Sequence, residues 1–236
     1  LFVAFIGYSL QKSPSYKTGM ISTGLSGGNM IAKVYIEGMI THDKERIEIL
    51  ESIKDNPRIK ALIVHINSQG GTFVASENIM NTLKYIAKEK PVVALIDEIA
   101  ASGGYMASLG ADQIFAHKGS LTGSIGVISL TYEVTELAHK LGVKPNIVKS
   151  APLKAAPNPF EKATPEVLEA TQNLIDDNYQ SFLELVAQRR NIPLETLQKK
   201  VDGRLYTARQ AHQESYIDAI GNEKDVIAWL EKEKNI

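Results

Sequence analysis

Two glycine-rich segments and a few polar side chains beside them are where this sequence could do chemistry. The first is Asn67-Ser68-Gln69-Gly70-Gly71 and the second is Ala100-Ala101-Ser102-Gly103-Gly104; each follows an apolar run, at 61–66 and 91–96. Both read as turns. In α/β sheets, ligands gather at the carboxyl ends of the strands. Glycine there lets the backbone approach a ligand and aim N–H groups at it. Set side by side, the two turns could each lend an N–H to an oxyanion. Neither fits the phosphate loop GxxxxGK[ST] or the dinucleotide pattern GxGxxG. Taken alone, a Gly-Gly pair is also an ordinary tight turn.

Ser102 stands where a strand passes into a helix. That is the position of an exposed nucleophile backed by a helix N-terminus, and equally that of a small cap residue. A serine attacks at neutral pH only with a proton acceptor. Of five histidines, His65 lies inside an apolar run and reads as a core residue, while His42, His117, His139 and His212 lie in polar segments and read as solvated. The sequence has no His-Glu-x-x-His pair and no cysteine, so a thiol nucleophile, a disulfide and a thiolate metal site are excluded and no metal is expected. A lysine can replace histidine where desolvation favours the neutral amine. Lys154, in Ala151-Pro152-Leu153-Lys154-Ala155-Ala156-Pro157, has no acidic neighbour before Glu161; Lys149, beside Ser150, is its rival.

The elements that must position these residues follow from the pattern of the chain. It has 236 residues, 44% hydrophobic and 22% charged, enough apolar material for a packed core in one large or two small domains. Basic residues number 26 against 27 acidic, a net charge of -1, which excludes a general nucleic-acid binder. Strands are predicted at 31–36, 61–66, 91–96, 112–116 and 146–148. Helices are predicted at 43–54, 74–88 and 133–141, with a helix of small residues within 100–109. This alternation indicates an α/β sheet with helical crossovers. Thr164 and Pro165 start a helix that runs to Arg190, and shorter helices follow at 193–200, 207–213 and 223–232. Residues 1–10 are mostly apolar but fewer than the roughly 20 that span a bilayer. They read as the last turns of a cut transmembrane helix, or as a strand or apolar tail that packs locally. Residues 11–29, rich in Ser, Gly and Lys, read as a linker.

Five ordered motifs carry a family resemblance. They are Ile66-Asn67-Ser68-Gln69-Gly70-Gly71, Ala101-Ser102-Gly103-Gly104-Tyr105, Leu121-Thr122-Gly123-Ser124-Ile125-Gly126-Val127, Lys149-Ser150-Ala151-Pro152-Leu153-Lys154 and Asp202-Gly203-Arg204-Leu205-Tyr206-Thr207-Ala208-Arg209-Gln210-Ala211. Together they resemble signal peptide peptidase A, the bacterial protease IV type, in its short single-domain form. The resemblance implies an α/β Clp protease/crotonase-like fold of repeated ββα units with a helical C-terminal part. It divides the chain into an N-terminal anchor remnant and linker at 1–29 and a peptidase domain at 30–236.

The same resemblance implies a serine endopeptidase with Ser102 as nucleophile and Lys154 as general base. Ser124 orients the lysine, the N–H groups of Gly103 and Gly71 form the oxyanion hole, and Gly70, Gly71 and Thr72 bind the substrate strand. It implies no cofactor. Its substrates are cleaved signal peptides and other membrane-associated peptides. The assembly it implies is a homo-oligomeric ring, an octamer, with Ser and Lys of one site from adjoining subunits. An N-terminal helix holds it in the cytoplasmic membrane, with the catalytic domain on the extracytoplasmic side. Gln69 stands where the family has Pro and Ala151 where it has Gly; neither change removes a catalytic group. Two other readings share features of the sequence: a non-catalytic ring scaffold, and a crotonase-like acyl-CoA enzyme that would bind coenzyme A and need neither Ser102 nor Lys154.

Overall fold

The apolar runs become the central strands of one sheet because neither of their faces meets water. In the computed structural model, which describes Gly19–Ile21 and residues 30–236, the elements run in chain order. They are β1 (Gly19–Ile21), β2 (Met30–Ile40), α1 (Lys44–Asp55), β3 (Ile59–Gly71), α2 (Phe73–Ile86), β4 (Val92–Ala101), α3 (Gly103–Ser108), β5 (Gln113–Ala116) and β6 (Leu121–Gly123). They continue as α4 (Thr135–Lys140), α5 (Pro165–Arg190), α6 (Leu194–Lys200), β7 (Leu205–Thr207), α7 (Ala208–Gln213), β8 (Ala219–Ile220) and α8 (Glu223–Lys234). The sheet order is β1-β2-β3-β4-β5-β8, parallel from β2 onward, with β1 antiparallel at one edge.

Alternation along the strands splits the core into two layers. Ile31, Ala61, Ile63, Val93, Leu95 and Phe115 pack with Val226 and Leu230 of α8. Leu62, Val64 and Ile66, fully buried, point to the opposite face, where α1, α2 and α3 pack in succession. Local signals set the helix limits. Asp43 caps α1 by accepting the Arg46 N–H at 3.0 Å, and Leu50 and Ile53 form its buried stripe. Thr164 accepts the Val167 N–H at 3.3 Å and opens α5.

Several expectations are corrected. The segment 11–29 is not all linker, because β1 lies within it and pairs with Ile31–Lys33 of β2. The anchor assigned to residues 1–10 lies outside the described residues. No strand forms at 146–148; no neighbour pairs with it, and Val148 is 97% exposed. The first glycine segment is not a turn but the end of β3, where Gly70 and Gly71 stay in register with Met39 and Ile40 past a bulge. The short strands β6, β7 and β8 have too few residues to show a period and are fixed by pairing alone.

The described residues form two compact units. One is Val127–Ser181; the other joins the described residues up to Gly126 with Phe182–Ile236 and holds the whole sheet. Within Val127–Ser181, Ala138 and Val167 are buried, whereas Ile128, Leu130, Tyr132, Leu141, Val143 and Val148 are exposed. Its local bonds include the Val134 N–H to the Pro159 carbonyl at 2.8 Å, which fixes the start of α4.

Candidate active site

The site is built where β4 changes partner. Over Val93–Ile96 it pairs with β5, and over Ile99–Ala101 it pairs with β6. Ser120 sits in this fork, its hydroxyl donating to the Ile96 carbonyl at 3.0 Å. Ser102 follows immediately, with φ 49 and ψ -118. Such a conformation costs a non-glycine residue about 1–3 kcal/mol and persists only where its surroundings impose it. Two bonds do so here. The Ser102 N–H donates to the Gly123 carbonyl at 2.8 Å, and the Ser102 carbonyl accepts the Met106 N–H at 2.9 Å as α3 begins. Ser102 is partly exposed between buried Ala101 and Gly103. A partly exposed serine on a strained strand-to-helix turn has the backbone arrangement that nucleophilic serines use.

The end of β3 lies against this turn. A Cβ on Gly70, whose φ is +124, would sit 3.1 Å from the Ser102 Cβ and 3.2 Å from the Gly103 nitrogen. One on Gly103 would fall 2.2 Å from Ser76 Oγ and 3.1 Å from the Gly71 nitrogen. The two glycine segments therefore interlock beside Ser102. Gly103 is the first residue of α3, so its N–H has no partner inside the helix. Ser68 fixes the β3 end: its hydroxyl donates to the Gly38 carbonyl at 2.6 Å and accepts the Gly70 N–H at 3.1 Å. Thr72, exposed, donates its N–H to the Ile40 carbonyl at 2.9 Å, and its own carbonyl accepts the Ser76 hydroxyl at 3.0 Å. Ser124 directly follows the glycine that holds Ser102. It too has positive φ, 48, is partly exposed, and donates its N–H to the Arg204 carbonyl at 2.8 Å.

One unit thus holds Ser102, Gly70, Gly71, Gly103, Thr72 and Ser124. Lys154 belongs to the other. It lies in an exposed turn closed by its N–H to the Ala151 carbonyl at 3.1 Å, so the burial that would desolvate its amine is not supplied by its own loop. It has no ion pair among the described residues. Lys149, by contrast, is ion-paired with Glu161, whose carboxylate also accepts the Asn158 side-chain N–H at 2.6 Å. The hydrogen bond from Lys149 holds the Glu161 carboxyl below its ordinary range.

His65 is buried and satisfied. Its Nδ1 lies 3.0 Å from Asp97 and its Nε2 3.2 Å from Glu223, with Tyr35 stacked on the ring at 4.7 Å. Among the described residues no group of His, Asp or Glu is arranged to hold a metal, and no helix is long and apolar enough to cross a membrane. Sequence reasoning did not assign roles to Ser76, Gly123, Arg204 or Tyr206. For Gly123, Arg204 and Tyr206 the signal was present in the Gly123 and Asp202–Ala211 motifs, but only pairing of β6 with β7 brings them to Ser102. Ser76 reaches the site from α2, against Gly103, and no motif marks it.

Comparison with known proteins gives the arrangement a context. A model of peptidase family S49 matches residues 84–236. A protein of Methanocaldococcus jannaschii is 32% identical over 227 residues, covering 90% of this chain and 73% of that one. The chloroplastic serine protease SPPA of Arabidopsis thaliana is 31% identical over 231 residues, covering 90% of this chain and 34% of its own length. In structure, a ClpP1 mutant from Listeria monocytogenes matches with a TM-score of 0.54 at 17% identity, over 82% of this chain and 92% of that one. The fold is therefore of the Clp protease/crotonase-like class.

Proposed function

Because the chain belongs to peptidase family S49 and is a serine peptidase, we propose that Ser102 is its nucleophile and Lys154 its general base. The observation that carries this reading is the imposed positive φ of Ser102 at the β4–α3 junction, with Gly70, Gly71 and Gly103 packed beside it. Neutral Lys154 takes the hydroxyl proton as Ser102 Oγ bonds to the peptide carbonyl carbon. The N–H groups of Gly103 and Gly71 hold the oxyanion that forms. The lysine ammonium then protonates the amine as the C–N bond breaks. Water, losing a proton to the lysine, attacks the acyl-enzyme and releases the acid, and Ser102 regains its proton. Ser124 orients the lysine amine. The substrate strand lies along Gly70, Gly71 and Thr72, adding to the exposed end of β3.

A lysine serves as base only when desolvated, and the loop of Lys154 is exposed in a single chain. The exposed apolar side chains of Val127–Ser181 support burial of this region against another copy. The proposed assembly is an octameric ring in which the serine and lysine of one site come from adjoining subunits. The remaining parts of the proposal rest on the family resemblance. The substrates are cleaved signal peptides and other membrane-associated peptides, and an N-terminal helix anchors the enzyme in the cytoplasmic membrane with its catalytic domain outside the cytoplasm.

The test is intact-mass labelling of the assembled protein with a fluorophosphonate. One adduct on the native chain, absent from both Ser102→Ala and Lys154→Ala, is the expected result. An adduct retained by Ser102→Ala, or none on the assembled native protein, overturns the assignment.

A further inference from the structure

The segment Asp202–Ala211 has no part in the proposed dyad, yet its residues form β7 and the cap of α7. β7 pairs antiparallel with β6, setting Tyr206 opposite Thr122 and Leu205 opposite Gly123. β6 pairs in turn with β4 as far as Ala101 opposite Gly123. Gly123, with φ +89, is therefore held between two strands, and its carbonyl accepts the Ser102 N–H at 2.8 Å. Tyr206 covers it so closely that a Cβ at 123 would come within 2.6 Å of Tyr206 Cδ2.

The contacts continue back to the same turn. Tyr206 meets Tyr216 edge-on, with ring centroids 5.2 Å apart and planes at 75°. The Tyr216 carbonyl accepts the hydroxyl of Tyr105 at 2.9 Å, and Tyr105 sits in α3 just beyond Ser102. Tyr105 and Tyr216 are fully buried, and burial pushes both hydroxyls above their ordinary range.

We infer that Tyr206, supported by Tyr216 and Tyr105, is a positioning residue for Ser102. Its ring fixes the Gly123 carbonyl, and that carbonyl fixes the strained Ser102 backbone. The brace touches neither substrate nor reacting atoms. The inference rests on Ser102 being the nucleophile.

The experiment follows fluorophosphonate acylation over time, with kcat and KM on a peptide, for the assembled full chain. Tyr206→Leu is expected to lower acylation and kcat by about a hundredfold with KM unchanged, the scale of loss that an ångström of misplacement causes. Tyr206→Phe, which keeps the ring, restores both. Native acylation by an assembled Tyr206→Leu overturns the inference, as does an equal rise of KM with kcat intact. Should Tyr206→Leu not assemble, Tyr105→Phe decides, since it removes one hydroxyl from the far end of the brace. A several-fold fall in its acylation rate with KM unchanged supports the inference; native acylation overturns it. Ser102→Ala runs alongside: labelling that survives there overturns the nucleophile assignment instead of the brace.

Discussion

Gly70 faces Ser102 so closely that a methyl group at position 70 would stand 3.1 Å from the Ser102 Cβ and 3.2 Å from both the Ala101 carbonyl oxygen and the Gly103 nitrogen. With φ +124, position 70 is also outside the range that side chains adopt readily. Gly70→Ala thus loads strain onto β3 and fills the space where an oxyanion would meet the Gly103 N–H. The expected loss in kcat is about 10²–10³-fold, as for removal of an oxyanion-hole donor. Stability falls by about 1–3 kcal/mol, the cost of a strained backbone position. Peptide hydrolysis and urea unfolding measure the two. Native acylation of Ser102 in this variant would mean the oxyanion is held elsewhere.

The proposed base Lys154 and its rival Lys149 part on their surroundings. Lys149 is ion-paired with Glu161, and Lys154 is not ion-paired among the described residues. Lys149→Met is expected to leave peptidase activity within the native range, while Lys154→Met lowers kcat by about 10²–10⁴-fold, the usual share of general acid–base catalysis. The pair also sets a pH dependence. The Glu161 carboxyl is held below its ordinary value, chiefly by the hydrogen bond from Lys149. Whatever the pair contributes is therefore complete above the ordinary carboxylate range and is lost as pH falls through the depressed value. In Lys149→Met the Glu161 carboxyl should titrate at higher pH, which carboxyl NMR reads directly. Activity lost in Lys149→Met and kept in Lys154→Met would reverse the assignment.

How much of this was legible in the residues depends on the range over which each signal acts. The runs at 61–66 and 91–96 are buried on both faces, so composition alone marks them as strands. Ser102 was legible because it sits between a run of that kind and small residues able to start a helix. His65 was readable as a core residue, but its partners Asp97 and Glu223 were not, since each comes from another element. Tyr206 acts on Ser102 only through β6, a strand of three residues with no period to read. The apolar residues at 146–148 alternate with nothing and pair with nothing, so a β-branched composition there predicts a strand that does not form. The exposure of Lys154 was equally unreadable, because local sequence does not report what covers a loop.

Ser124 holds an unusual backbone, φ 48, with its N–H fixed on the Arg204 carbonyl. Two explanations of a serine there can be separated. If only the backbone matters, Ser124→Gly relieves the strain and retains activity. If the hydroxyl orients the lysine amine, Ser124→Ala and Ser124→Gly both lose it. We expect both to lower kcat by about a hundredfold, at the low end of general acid–base contributions. Full activity in Ser124→Gly would reduce Ser124 to a turn residue.

The last prediction concerns the exposed side chains of Val127–Ser181. Ile128 is 87% exposed and Val148 97%. A glutamate at either position therefore disturbs no packing within the chain, and surface substitutions of this kind usually change stability by less than about 0.5 kcal/mol. If these side chains are buried against a neighbouring copy, the same substitutions place a charge in an apolar contact and prevent assembly. Ile128→Glu and Val148→Glu are then expected to move the protein from ring to monomer in sedimentation. Thermal unfolding of the isolated chain should be unchanged, and Ser102 acylation should be lost together with the assembly. A stability-neutral change that abolishes labelling together with assembly acts through the partner contact. A ring that forms and labels normally with both glutamates in place would instead show that these two side chains are outside the subunit contact and that Lys154 is desolvated by other residues.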